Sequence, residues 1–268
     1  MPGMHWWPLP IALLLFAGSF AAGALAGRRG MKTSIAVASV CTALVTLRIL
    51  WRLHPRTEYA VFPWDWYVPI RAWWVFVPAQ VVAGVGAVRM STWGARVGVG
   101  VFAAALLLVA GQRLFLTLDI DQSRMEGRPD GSGVCPQTTD YTCGAAAAAT
   151  VLAQIGVPTT EREMAVLCDT NAFMGTDEFG VAQGLRRKLS GTGRRVEVIE
   201  ADWDDLRSLA LPAAATVRFT LWVDHWVVVF GVIGEQVIVG DPTRGRQTLT
   251  RAEFERRWRR VLVTIAKP

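Results

Sequence analysis

The stretch Thr142-Cys143-Gly144-Ala145-Ala146-Ala147-Ala148-Ala149-Thr150-Val151-Leu152 sets the architecture of the C-terminal half of the chain. Its alanines, with Val151, Leu152 and Ile155 at helical spacing, specify a buried helix. Gly156 and Pro158 end it. The cysteine falls where a loop turns into that helix. A helix N-terminus offers free N–H groups and a partial positive charge, which favour a thiolate, and the thiolate rather than the thiol is the nucleophile.

Downstream, Thr160-Glu161-Arg162-Glu163 reads as a capping box opening a second helix toward Leu167. Thr176 precedes a third, with Phe179, Val181, Leu185 and Leu189 on its apolar side. Short β-branched runs then predict strands at 196–199, 214–219, 226–230 and 236–239, punctuated by Gly191, Gly193, Gly231 and Gly234. Thr250-Arg251-Ala252-Glu253 opens a final helix, and 261–265 closes the chain as a strand. A helical lobe followed by an antiparallel sheet is an α+β fold.

Three polar residues stand in positions that suit a nucleophilic cysteine. Gln137 lies six residues before Cys143, in the loop, where its amide can donate to a developing oxyanion together with the Cys143 N–H. His225 is the only histidine after His54 and precedes a strand rigid enough to hold a base. Asp241 follows sixteen residues later, after the next strand. Two antiparallel strands joined near Gly234 bring Asp241 beside His225, where a carboxylate fixes the tautomer and orientation of an imidazole. Taken singly, each has an ordinary structural role: a Cys-Gly pair opens many helices, Gly240-Asp241-Pro242 makes a turn, and Gln137 can cap a helix.

The segment Pro136-Gln137-Thr138-Thr139-Asp140-Tyr141-Thr142-Cys143-Gly144-Ala145-Ala146 resembles the active-site segment of the bacteriocin-processing, double-glycine leader peptidases. These are papain-like cysteine peptidase domains also found at the front of peptide-exporting ABC transporters. Asp224-His225-Trp226-Val227-Val228-Val229 resembles their histidine strand, and Gly240-Asp241-Pro242-Thr243-Arg244-Gly245 their Asp-Pro turn. Gly175-Thr176, Phe254 and Trp258 also fit, and the likeness covers residues 134–265. It implies Cys143 as nucleophile, His225 as general base and acid, Asp241 as orienting residue and Gln137 as oxyanion donor, acting on peptide bonds after Gly-Gly in a leader. Thr142 departs from the pattern, where the family often has Asp. The chain has no G-x-x-x-x-G-K-S/T phosphate loop, so it is not itself an exporter. A separate exporter is a candidate partner, alongside a peptide or protein substrate and the lipid bilayer.

Other readings keep parts of this pattern. A catalytically silent module would keep the fold and bind a peptide or leader at the membrane; retention of both Cys143 and His225 argues against it. A metal site from Cys135, Cys143, Cys168 and His225 has none of the zinc-knuckle spacings. Amide or acyl transfer would use the same Cys–His–Asp chemistry. Hydrolysis needs only water, so no cofactor and no metal is expected. Cys135 and Cys168 are expected to be inessential, able to pair in an oxidising compartment. The run Arg186-Arg187-Lys188 reads as a solvated helix face.

The N-terminal half is of another kind. The 268 residues are 52% hydrophobic, high for a soluble chain. Residues 1–118 carry ten Lys/Arg against two Asp/Glu (+8), and residues 119–268 carry eighteen against twenty (−2). The basic residues flank apolar spans, which is the pattern of a bilayer topology and not of a nucleic-acid surface. Four apolar segments, 9–26, 33–50, 67–88 and 97–118, are each near the ~20 residues a transmembrane helix needs. Trp6, Trp7, Trp51, Trp64, Trp66 and Trp93 sit at their ends, as interfacial tryptophans do. The first span carries a small-x-small Ala24-Leu25-Ala26 pattern, but its start lacks the basic residues of a signal peptide, so an uncleaved span is expected. Five Lys/Arg fall on each side, so charge sets no orientation. No ionisable relay runs through the spans, which excludes a pump or channel reading. The expected organisation is an all-α transmembrane region of about four helices (1–118), a Gly/Pro-rich linker (119–133) and an α+β papain-like cysteine peptidase domain (134–268), in a multi-pass membrane protein.

Overall fold

The computed structural model describes residues 8–53, 55–62, 67, 73–118, 120–172, 174–220 and 223–266. It divides into two compact units, Met1–Leu53 with Pro69–Asp119, and His54–Val68 with Ile120–Pro268. Helices α1 (Pro8–Arg29), α2 (Met31–Leu53), α4 (Trp73–Arg89) and α5 (Trp93–Leu118) build the first; α3 (Pro55–Val61), between α2 and α4 in the chain, belongs to the second.

In the first unit many large apolar side chains point outward: Leu14, Leu108, Val101 and Val40 are all exposed. The helix contacts combine a buried aromatic, Phe16 against Trp73 and Phe76, with small and polar residues. Gly23 of α1 lies against the Val81 backbone of α4, and Gly84 of α4 against the Phe20 backbone of α1, so a side chain at either position would collide. Gln80 donates to the Ala103 carbonyl (2.8 Å), and Arg89 donates to the Ser34 hydroxyl (3.0 Å). Small residues at the interface and interhelical polar bonds are how helices pack where the surroundings are as apolar as the side chains. Among the described residues, two helices are long and apolar enough to cross a membrane, Met31–Trp51 and Trp93–Ala110. The third expected span starts at Tyr67, but the helix begins at Trp73; residues 68–72 lie outside the described residues, as do Trp6, Trp7, Trp64 and Trp66.

The second unit is α+β. After a 3₁₀ turn (Gln122–Arg124) come α6 (Cys143–Gln154), α7 (Glu161–Leu167) and α8 (Glu178–Lys188). The sheet follows: β1 (Arg195–Glu200), α9 (Trp203–Ser208), β2 (Ala213–Arg218), β3 (Asp224–Ile233), β4 (Gln236–Asp241), β5 (Gly245–Thr250), α10 (Arg251–Glu255) and β6 (Trp258–Ala266). Its order is β1-β6-β2-β3-β4-β5, with every neighbouring pair antiparallel. All residues of α6 from Gly144 to Leu152 are buried. They pack with α7, α8 and one sheet face, to which β3 contributes Trp226 and Val228. The alternate residues Val227 and Val229 face a second core with Trp203, Phe254 and Trp258.

Two segments outside the regular elements are built into this unit. Around α3, the Tyr67 hydroxyl donates to the buried Glu58 carboxylate (2.6 Å), and the Tyr67 ring stacks on Phe62 and meets Phe179 of α8 edge-on. Beyond the 3₁₀ turn, residues 125–133 are irregular, as their glycines and proline dictate, yet Met125 is buried and the Thr138 hydroxyl oxygen lies 2.6 Å from the Arg124 carbonyl.

Candidate active site

Cys143 is the first residue of α6, and Thr142 is its N-cap. The first intrahelical bond runs from the Ala146 N–H to the Thr142 carbonyl (2.9 Å), so the N–H groups of Cys143 to Ala145 have no intrahelical acceptor. Gly144 lets the helix approach the sheet: a Cβ there would lie 2.8 Å from Thr176 and 3.2 Å from the Trp226 ring. The Trp226 indole donates to the Thr176 carbonyl (2.8 Å). Trp226 neighbours His225 on β3, so this packing sets the distance between cysteine and imidazole.

The β3–β4 hairpin turns at Gly234, whose φ is +58°, a left-handed conformation suited to glycine. Its far end brings His225 Nε2 to 2.9 Å from Asp241 Oδ1, both side chains about 10% exposed. Nδ1 is then the ring nitrogen available to the Cys143 thiol. Oδ1 of Asp241 also accepts the Thr243 N–H (2.8 Å) and hydroxyl (2.7 Å), which fix the carboxylate. Burial alone pushes the His225 pKa down, but hydrogen bonds to Asp241 and Cys143 and their charges raise it from 6.5 to about 9. Burial raises Asp241, while the bonds from His225 and Thr243 prevail and lower it to about 2. The stability His225 contributes is therefore complete below about pH 6.5 and lost as pH climbs through about 9. That of Asp241 is complete above 3.8 and lost as pH falls toward about 2. In ¹⁵N-labelled protein, the His225 ring is expected to titrate near pH 9, and Asp241→Asn to bring that midpoint down. An unchanged midpoint would separate the carboxylate from the histidine's charge.

Gln137 joins the two sides of the site. Its backbone N–H donates to the Pro242 carbonyl (3.0 Å), one residue past Asp241. Its side-chain Nε2 donates to the Thr139 carbonyl (2.9 Å), which leaves a second N–H on that nitrogen. The buried Oε1 has no hydrogen-bond partner among the described residues. Reversing the amide would set oxygen against the Thr139 carbonyl, so this orientation is the favoured one.

One residue of the site was not singled out from sequence. Glu161, fully buried, turns away from its own helix and holds the loop before Cys143. Its Oε1 accepts the Thr138 N–H (2.7 Å) and the Thr142 hydroxyl (2.5 Å); its Oε2 accepts the Gly127 N–H (3.0 Å) and the Thr138 hydroxyl (2.6 Å). The capping reading of this stretch is half realised: Thr160 accepts from the Glu163 N–H, but the Glu163 carboxylate goes to Thr159 and Lys188. The signal that could have marked Glu161 is an acidic residue in a first turn that does not need it, since Glu163 is also there.

All four cysteines are free thiols. Cys135 and Cys168 are buried; desolvation pushes the Cys135 thiol up to about 12 and Cys168 higher still. Both are therefore poor nucleophiles beside the half-buried Cys143. Arg187 does not face solvent alone: it binds Asp169 and the Leu167 carbonyl, and Lys188 binds Glu163.

A sequence model of the peptidase C39 family matches residues 132–268, just over half the chain. The chain belongs to the peptidase C39 family. Members of that family are cysteine peptidases. An uncharacterized protein of Methanothermobacter thermautotrophicus is 32% identical over 135 residues, 49% of this chain and 87% of that one. The lactococcin-G-processing and transport ATP-binding protein LagD of Lactococcus lactis is 28% identical over 47% of this chain, which spans 18% of its length. The probable functional amyloid protease FapD of Pseudomonas aeruginosa is 29% identical over 48% of this chain, which spans 58% of its length. Among solved structures, the peptidase domain of Streptococcus ComA, a bi-functional ABC transporter, is similar over 50% of this chain and 96% of its own, at 25% identity and a TM-score of 0.45. The C39 match thus takes in Cys143, His225, Asp241 and Gln137, and ends with the sheet.

Proposed function

We propose that this chain is a membrane-anchored cysteine peptidase that hydrolyses peptide bonds after Gly-Gly in leader peptides, working beside a separate exporter. The observation that carries the reading is the His225 imidazole, buried and hydrogen-bonded to Asp241, with the Cys143 thiol among the groups that raise its pKa. The Cys143 thiolate attacks the scissile carbonyl carbon, and the oxygen that becomes negative is met by the spare Gln137 N–H and the free N–H groups of α6. The His225 imidazolium gives its proton to the leaving amine as the C–N bond breaks, leaving a thioester on Cys143. Neutral His225 then takes a proton from water, whose oxygen attacks the thioester; the C–S bond breaks and the thiolate returns. Asp241 holds the ring and stabilises its charged form throughout. Leader specificity extends the resemblance of residues 136–146 to the double-glycine leader peptidases, and the lactococcin-G-processing protein is a relative with a processing role. The anchor reading rests on the outward-facing apolar residues and the glycine and polar contacts of α1, α2, α4 and α5, read as four spans.

The test is to incubate the full chain, in detergent or lipid discs, with synthetic peptides carrying a Gly-Gly pair and to map the products by mass spectrometry. Cleavage directly after the pair, blocked by prior alkylation of Cys143, is the expected result. Intact peptides under conditions where Cys143 is unmodified would remove the peptidase reading.

A further inference from the structure

A cavity of about 110 Å³ opens beside the histidine on the sheet face away from α6. Val227, Val239 and Phe254 form its apolar base, and His225 and Asp241 one wall. Its rim carries three exposed arginines, Arg218, Arg244 and Arg257. Among the described residues none of the three makes a salt bridge; the Arg218 guanidinium donates only to the Arg256 carbonyl (3.3 Å). Asp241 is the one carboxylate in the lining, and its Oδ1 is already engaged by His225 and Thr243. The cavity is thus cationic, since its one lining carboxylate is engaged and Glu253, which Arg257 also attracts, lies outside the lining; it is large enough for several waters or one acidic side chain.

Its place relative to the reaction follows from proton transfer. During acylation His225 must reach the leaving nitrogen, so the residues after the scissile bond depart on the imidazole side. Cys143 is not among the residues lining the cavity, whereas His225 is. We infer that this pocket is a specificity site for an acidic side chain in the first few residues after the scissile bond, bound by Arg218, Arg244 and Arg257. The inference rests on the peptidase reading for its orientation and names a substrate feature that reading leaves open. Guanidinium groups suit the task because they bind carboxylate through forked N–H pairs.

The experiment separates binding from turnover. Two fluorescent decapeptides are compared, each with a central Gly-Gly, followed by Ser-Glu-Glu in one and Ser-Gln-Gln in the other. Binding is measured by anisotropy to full-length Cys143→Ala, which cannot turn over. The acidic peptide is expected to bind about tenfold more tightly at low salt, with the advantage shrinking as salt rises. Arg244→Ala/Arg257→Ala in the same background is expected to erase the difference while leaving binding of the neutral peptide unchanged. Equal affinity for the two peptides, or binding of neither, overturns the inference. A charge preference in binding with no cleavage by the wild-type chain would keep the pocket and sink only the peptidase reading.

Discussion

Replacing His225 with alanine is expected to reduce turnover by about 10²–10⁴-fold and to weaken sharply the selective reactivity of Cys143 toward iodoacetamide. The imidazole is the base whose charge is coupled to that thiol, and Asp241 and Cys143 together raise its pKa to about 9. Without it, the thiolate has no counter-ion and the leaving amine no proton donor. The variant is expected to fold. Asp241 keeps the Thr243 N–H and hydroxyl, so its carboxylate is not left buried and bare, and Thr243 lies on the same turn. Peptide mapping after brief alkylation at pH 6 provides the readout, with Cys135 and Cys168 as internal standards, because burial keeps both thiols protonated. Wild-type Cys143 should be modified long before either, and in His225→Ala that lead should narrow sharply. If Cys143 is no more reactive than the buried pair in the wild type, and the substitution changes nothing, the domain is a peptide-binding module at the membrane.

The sequence carried this part of the site because its signals are local. A helix start, two β-branched runs and a glycine turn are each readable within a dozen residues, and together they bring His225 within 2.9 Å of Asp241. Strand β5 was not legible for the opposite reason. Gly245-Arg246-Gln247-Thr248-Leu249-Thr250 has almost no apolar alternation, because an edge strand is held by its backbone bonds to β4 and not by a buried face. The short helix α9 is likewise set by a capping box at Asp202–Asp205 and by burial of Trp203 and Leu206, a pattern too brief for a periodicity to register. The role of Tyr67 and Glu58 depends on Phe179, more than a hundred residues away, so nothing near them in the chain announces it. The apolar segments, by contrast, announce helices plainly. What composition does not convey is that their contacts run through Gly23, Gly84 and Gln80.

Glu161→Gln is expected to cost about 3 kcal/mol of stability and, well below the melting temperature, to slow Cys143 alkylation and lower kcat more than it raises KM. The carboxylate accepts four hydrogen bonds and donates none, two of them from backbone N–H groups on opposite oxygens. An amide has one oxygen. Whichever way it is turned, its NH₂ must face either the Gly127 or the Thr138 N–H, and neither backbone donor can rotate away as a hydroxyl can. The resulting repulsion falls on the loop that carries Gln137 and ends at Thr142, the residue before the nucleophile, so the oxyanion donor and the start of α6 shift together. Glu163→Gln is the control, since that carboxylate is exposed and serves Thr159 and Lys188. If Glu161→Gln melts and turns over like Glu163→Gln, the loop is held by other means. The same geometry accounts for Thr142, where the resembling peptidases often have aspartate. Its hydroxyl donates to Glu161 Oε1, and a carboxylate in its place would set two negative charges at hydrogen-bonding distance in a buried site. Thr142→Asp is therefore expected to be damaging in this chain although it restores the more frequent residue, and pairing it with Glu161→Gln should recover part of the loss.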